Sequence, residues 1–205
     1  MRSIRHFFEQ SWLLIVASFF FGLLIAITNA ALSPRIEQNK TTKLNQLAGG
    51  LLPDATAFAA VTESIEIKAL DGKLQTVPVY RATTGNQTAG WVFQVVGSGF
   101  ADKIELVVAV DAAFATLAGF DVLASNETPG FGDQIKDSYY RDQFEGAPTD
   151  GLTLVKTGDP TTIDSEIVAI SGATVSSVAV VRAIDHYLPQ IKTQLQQKGL
   201  IGHGN

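Results

Sequence analysis

Two short stretches hold residues whose types and spacing suit chemistry. Ser171-Gly172-Ala173-Thr174 lies directly before a helix-compatible run, and Glu127-Thr128-Pro129-Gly130-Phe131-Gly132 lies about forty residues earlier. The first N–H groups of a helix lack internal partners and the helix dipole favours an anion there, so small residues and a hydroxyl at a helix start suit a phosphate. Thr174 offers an oxygen that can be esterified to it. Gly172 and Ala173 let a phosphate come close to the backbone, and the hydroxyl of Ser171 or Ser176 can hydrogen-bond a phosphate oxygen. The same residues admit a simpler reading as the Ser or Thr N-cap of an apolar helix, with Ser176 and Ser177 as exposed polar residues of its first turn. The second stretch also has two readings. Pro-Gly is ordinary turn chemistry, but Gly130 and Gly132 also leave room for a planar cofactor against the backbone.

The elements around these motifs can be read from periodicity. Val178, Val181, Ile184, Leu188, Ile191 and Leu195 recur at helical intervals and define one apolar face. Pro189 interrupts the series, which predicts a kink or a break into two helices near Leu188. Upstream, Ser64 to Leu70 and Leu74 to Tyr80 alternate around Asp71-Gly72, a hairpin signal. Trp91 to Val96 reads as a strand, and Ile104 to Val110 pairs with Thr116 to Leu123. The expected fold class is α+β: a single N-terminal transmembrane helix, then an antiparallel sheet with helices packed on it.

Composition narrows the function. Of the 205 residues, 46% are hydrophobic and only 17% charged, and there is no cysteine. Disulfides, thiol nucleophiles, cysteine-held zinc and iron–sulfur clusters are therefore excluded. His6, His186 and His203 are too scattered to suggest haem or a metal site. Trp12 to Leu32 is free of charge and about as long as a bilayer core requires, longer than the core of a cleavable signal. Arg2 and Arg5 precede it and Arg35, Lys40 and Lys43 follow, so charge does not set its orientation. Of 15 Lys+Arg, those two arginines precede the segment, as does Glu9 among 20 Asp+Glu; the remainder has a formal charge of −6, which does not suit nucleic acid. Pro34 to Ala48 reads as a helix leading into the domain, broken by Gly49-Gly50 and Pro53.

The apolar N-terminal helix, the strand-rich middle, E-T-P-G-x-G at 127–132 and S-G-A-T-x-S-S at 171–177 together resemble the membrane-anchored FMN-binding subunits of bacterial respiratory complexes. The resemblance is strongest to the G subunit of the Rnf electron transport complex, with the C subunit of the sodium-translocating NADH:quinone reductase as its relative. It covers nearly the whole chain. It departs at Val168, where the family usually has an acid, and at Phe131, where it usually has leucine.

The resemblance implies one covalent FMN per chain, esterified to Thr174. Its site would take in Ser171, Gly172, Ala173, Ser176, Glu127, Thr128, Pro129, Gly130 and Gly132, with no catalytic or metal-binding residue. It further implies an electron carrier rather than a complete enzyme, within a complex coupling ferredoxin and NAD redox to ion transport. No G-x-G-x-x-G follows a strand, so nicotinamide chemistry would belong to another subunit. The implied partners are the other membrane and peripheral subunits, a flavin transferase for maturation and the lipid bilayer. The implied location is the bacterial inner membrane, single-pass. The expected layout is a cytoplasmic N-terminus at 1–11, a transmembrane helix at 12–32, a linker and helix at 33–55, a periplasmic FMN-binding domain at 56–198 and a tail at 199–205. The alternatives are a membrane-anchored scaffold or binding domain without flavin, and an FMN subunit of the quinone-reductase type.

Overall fold

The computed structural model describes residues 2–202, with side chains from Ser11 onward except Glu37. Met1, the side chains of residues 2–10 and the tail residues 203–205, and with them His6 and His203, lie outside the described residues. The chain divides into two compact units, Met1–Thr42 and Lys43–Asn205.

The first unit belongs to helix α1 (Arg2–Leu51). Leu14, Phe19 and Ile25 in its charge-free stretch are 74%, 73% and 70% exposed, so among the described residues that stretch has no protein cover. A helix apolar on every side needs lipid or a core around it, and this one is long and apolar enough to cross a membrane. Pro34 lies within the helix, which also runs through Gly49 and Gly50 and ends at Leu51. The expected break at the glycine pair is therefore absent. Leu44 and Ala48 are buried against Val92, Val107, Ala109 and Leu123, and that packing outweighs a propensity penalty of about 1 kcal/mol per glycine.

The second unit is built on a five-stranded antiparallel sheet in the order β1-β4-β5-β6-β7. Its strands are β1 (Ala57–Ala60), β4 (Val79–Thr84), β5 (Gln87–Ser98), β6 (Lys103–Asp111) and β7 (Leu117–Ser125). The hairpin expected around Asp71-Gly72 is present as β2 (Ile65–Lys68) and β3 (Leu74–Val77), with Gly72 at a φ of 84°. The single strand expected over 74–80 is instead split at Pro78: β3 stays with β2, and β4 enters the main sheet. Proline has no N–H to give to a ladder, which favours a change of sheet at that point.

Burial explains why β6 is apolar almost throughout. Ile104, Leu106, Val108 and Val110 face the main core, and Val107 and Ala109 face the end of α1. Between β7 and the last helix the chain makes two 3-10 turns, Gly132–Lys136 and Asp142–Phe144, around the one-turn α2 (Ser138–Arg141). A short parallel pair follows, β8 (Thr153–Val155) with β9 (Glu166–Val168).

Helix α3 (Thr174–Gln197) closes the main core. Val181, Ile184, Leu188, Ile191 and Leu195 of the expected face are buried, joined by Ala183 and Tyr187. Pro189 lies inside a continuous helix and does not divide it in two, because residues on both sides of it are anchored in the core. The helix ends in a Schellman motif: Gly199 takes a φ of 68°, its N–H reaches Gln196 O, and Leu200 N–H reaches Leu195 O. Leu200 and Ile201 pack on the core, so the tail expected from 199 begins after Ile201.

Candidate functional site

The two motifs meet in space. The chain enters α3 through a turn in which Ala173 N–H donates to Ile170 O at 3.0 Å and Gly172 takes a φ of 79°. A positive φ at the third residue is what a type II turn requires. The N-cap position is Ala173, and no side chain caps the helix. The simple N-cap reading of this motif therefore fails, and the first-turn N–H groups are available to an anion.

Ser171 and Thr174 are exposed, whereas Ser176 and Ser177 are buried. Neither of the latter is an exposed residue of the first turn. Ser177 Oγ accepts from Ile170 N–H at 3.1 Å and donates to Ala173 O at 3.0 Å, locking the motif onto the helix that follows. Ser176 donates its hydroxyl hydrogen to Glu127 Oε2. A hydroxyl has one hydrogen, so in this arrangement Ser176 has none to offer a phosphate.

The loop after β7 makes the matching turn. Phe131 N–H donates to Thr128 O at 3.2 Å, with Pro129 and the positive-φ Gly130 between them. A Cβ at Gly130 would have nothing within 4 Å, so this glycine serves the turn and not close packing. Gly132 is the reverse case: a Cβ there would lie 2.5 Å from Ser176 Oγ and 2.6 Å from Glu127 Oε2. The space this glycine leaves is thus filled by the protein's own side chains, not kept for a planar cofactor.

Glu127 is 6% exposed. Its carboxylate accepts from Phe100 N–H at 3.2 Å and Ala101 N–H at 2.9 Å as well as from Ser176. Burial alone would push the carboxyl up, but the Ser176 hydroxyl and the Ala101, Phe100 and Asp102 amides outweigh it and hold the group below its ordinary value. Glu127 is therefore ionised at neutral pH.

These segments enclose a cleft of about 420 Å³, within the roughly 300–1,000 Å³ of ordinary small-molecule sites. Of the ten expected site residues, Glu127, Thr128, Gly132, Gly172, Ala173, Thr174 and Ser176 line it. Ser171, Pro129 and Gly130 belong to the two turns that shape it and lie outside the lining. Phe100, Phe131 and Val175 also line the cleft while being 73%, 58% and 51% exposed, giving it an apolar mouth. Sequence reasoning missed Phe100 and Val175. The available signal was a bulky aromatic beside Gly99 in a turn where polar residues are usual.

Residues 99–188, which hold all three lining segments, match the family model described as an FMN-binding domain. The G subunit of the proton-translocating ferredoxin:NAD(+) oxidoreductase complex of Clostridium ljungdahlii is 31% identical over 180 residues, covering 88% of this chain and 89% of that one. The chain belongs to the G-subunit family of ion-translocating oxidoreductase complexes. A second member, from Methanosarcina acetivorans, is 28% identical over 88% of this chain and 92% of its own length. The fold of this G-family chain is that of the C subunit of the Na(+)-translocating NADH-quinone reductase from Parabacteroides distasonis, with a TM-score of 0.56 at 18% identity, covering 78% of this chain and 96% of that one. Shewanella oneidensis NqrC gives 0.52 at 22% identity, covering 72% and 73%.

The residues fit FMN. The uncapped start of α3 suits its phosphate, the exposed Thr174 hydroxyl stands beside that start, and the apolar mouth suits a flat aromatic ring.

Proposed function

We propose that this chain carries one FMN joined through its phosphate to Thr174 Oγ1. The chain is a membrane-anchored FMN electron-transfer subunit of an Rnf-type complex. The observation that carries the covalent reading is the Thr174 hydroxyl, exposed in a cleft at a helix start that no side chain caps. Formally, the hydroxyl and the phosphate condense: the Thr174 oxygen bonds to phosphorus and one water is lost.

Each residue of the site then has a task. The first-turn N–H groups of α3 hold the phosphate charge, and Gly172 supplies the left-handed turn that brings them to the surface. Phe100, Phe131 and Val175 shield the ring from water. FMN supplies the redox chemistry; the protein positions it and sets its potential by local charge and hydrogen bonding. In this reading a flavin transferase attaches the FMN, the other subunits of the complex exchange electrons with it, and the domain lies on the periplasmic side of a bacterial inner membrane. Attachment through the phosphate keeps the site filled where a dissociable cofactor would be diluted away.

The test is co-expression of the full chain with a flavin transferase, followed by a denaturing gel under ultraviolet light and mass mapping. The expected result is a fluorescent band with FMN minus one water on the Thr174 peptide, kept in Thr174→Ser and lost in Thr174→Ala and Thr174→Val. A dark wild-type band beside a working positive control rejects the covalent reading.

A further inference from the structure

The cleft is assembled from three segments far apart in sequence, and one side chain touches all of them. Glu127 belongs to the loop that carries Thr128 to Gly132. Its carboxylate accepts from the Phe100 and Ala101 amides in the β5–β6 turn and from the Ser176 hydroxyl in the first turn of α3. Two glycines let the chain close on it. A Cβ at Gly99 would overlap Glu127 Oε1 and lie 2.6 Å from Asp102 O, and the Gly132 position would be blocked by Glu127 and Ser176 together. Among the described ion pairs none includes Glu127, so its charge is balanced by N–H and O–H donors alone.

We propose that Glu127 is the positioning residue of the FMN site, its carboxylate holding the Phe100 turn, the Thr128–Gly132 loop and the first turn of α3 at fixed separations so that Phe100, Phe131 and the Thr174 hydroxyl face one cleft. This rests on the reading of FMN at Thr174. A carboxylate is needed because all its partners donate. A glutamine amide has one accepting oxygen, and since Phe100 N–H points at one carboxylate oxygen and Ala101 N–H at the other, its NH₂ would face one of these amides donor to donor. The same carboxylate lines the cleft, so its negative charge opposes the addition of electrons to a group bound there.

The experiment compares the full-length wild type with Glu127→Gln, Ser176→Ala and the double variant, each co-expressed with a flavin transferase. Three quantities are read: the initial rate at which FMN appears on Thr174, hydrogen exchange of the Phe100–Ala101 segment, and the midpoint potential of the fully loaded protein. Hydrogen bonds to a charged group are worth about 1.5–3 kcal/mol. Glu127→Gln should therefore load about tenfold more slowly or worse, with exchange at Phe100–Ala101 faster by a similar factor and a higher midpoint potential. Ser176→Ala should act in the same direction but less. The double variant should match Glu127→Gln, because both changes remove one shared contact.

Loading by Glu127→Gln within twofold of wild type overturns the proposal while leaving FMN at Thr174 intact, as does an unchanged potential. A wild type without FMN on Thr174 removes the underlying reading, and the proposal with it. If Glu127→Gln fails to fold, Ser176→Ala, which deletes one hydroxyl, decides by the same loading and exchange measurements.

Discussion

Replacing Ser177 with alanine isolates what the second serine after S-G-A-T does. The side chain is fully buried, and its oxygen is the acceptor for Ile170 N–H at 3.1 Å. Its other bond, to Ala173 O, is less critical because Ser177 N–H already donates there at 3.0 Å. The substitution therefore strands one buried donor, at a cost of about 1–3 kcal/mol. A central figure of about 2 kcal/mol corresponds to a fall in Tm of roughly 4–8 °C for a domain of this size. The assay is thermal unfolding of the apo chain in detergent, followed by fluorescence of the buried Trp91. Ser171→Ala is the matched control: Ser171 begins the same motif but is exposed, and its loss should cost less than about 0.5 kcal/mol. Equal shifts for the two variants, or a Ser177→Ala effect below about 0.5 kcal/mol, would refute the claim that Ser177 locks the motif to the helix.

Two further predictions concern backbone conformation and pH. Gly172→Ala places a Cβ at a φ of 79°, where an L-residue costs roughly 1–2 kcal/mol; thermal melts should fall accordingly even though the space around it is open enough for a methyl group. Glu127 has a folded-state pKa below its ordinary value of 4.5, so its contribution to stability is complete above that value and is lost as pH falls through the lower folded-state value. Wild type should therefore exceed Glu127→Gln in urea midpoint near neutrality, and the gap should close on acidification below about pH 4.5. A gap that stays constant with pH would show that the carboxylate charge is not what stabilises the site.

Features held by local rules could be read before the structure. Asp71-Gly72 names its own hairpin, the apolar spacing from Val181 to Leu195 names the buried face of α3, and Pro129-Gly130 names its turn. What escaped depended on partners distant in the chain. Nothing around Glu127 announces that it meets Ser176, 49 residues away, and Gly132 looks like any loop glycine until that pair is seen beside it. The alternation from Leu74 to Tyr80 reads as one strand because the change of sheet at Pro78 is set by the packing of β4 against β5. The Gly49-Gly50 pair misled because helix propensity is weak beside the burial of Leu44 and Ala48. Ser176 and Ser177 were ambiguous because a hydroxyl suits water and a satisfied core equally well.

The sheet is covered on one side by the last turns of α1 and on the other by α3, so the first and last helical segments of the second unit act as its lids. This decides where the soluble half can be cut. A fragment begun at residue 56 would leave Val92, Val107, Ala109 and Leu123 open to water, and two such fragments would tend to hide these faces against each other. One begun at Lys43 keeps Leu44 and Ala48 in place, together with the Lys43 ammonium that donates to Leu123 O. At the other end, a stop codon before Gly199 would remove Gly199 and Leu200, whose N–H groups close the end of α3, and with them Ile201, which lies on the core. The useful border between anchor and globule therefore falls inside a helix, a few turns before its end, and not at the loop that follows it.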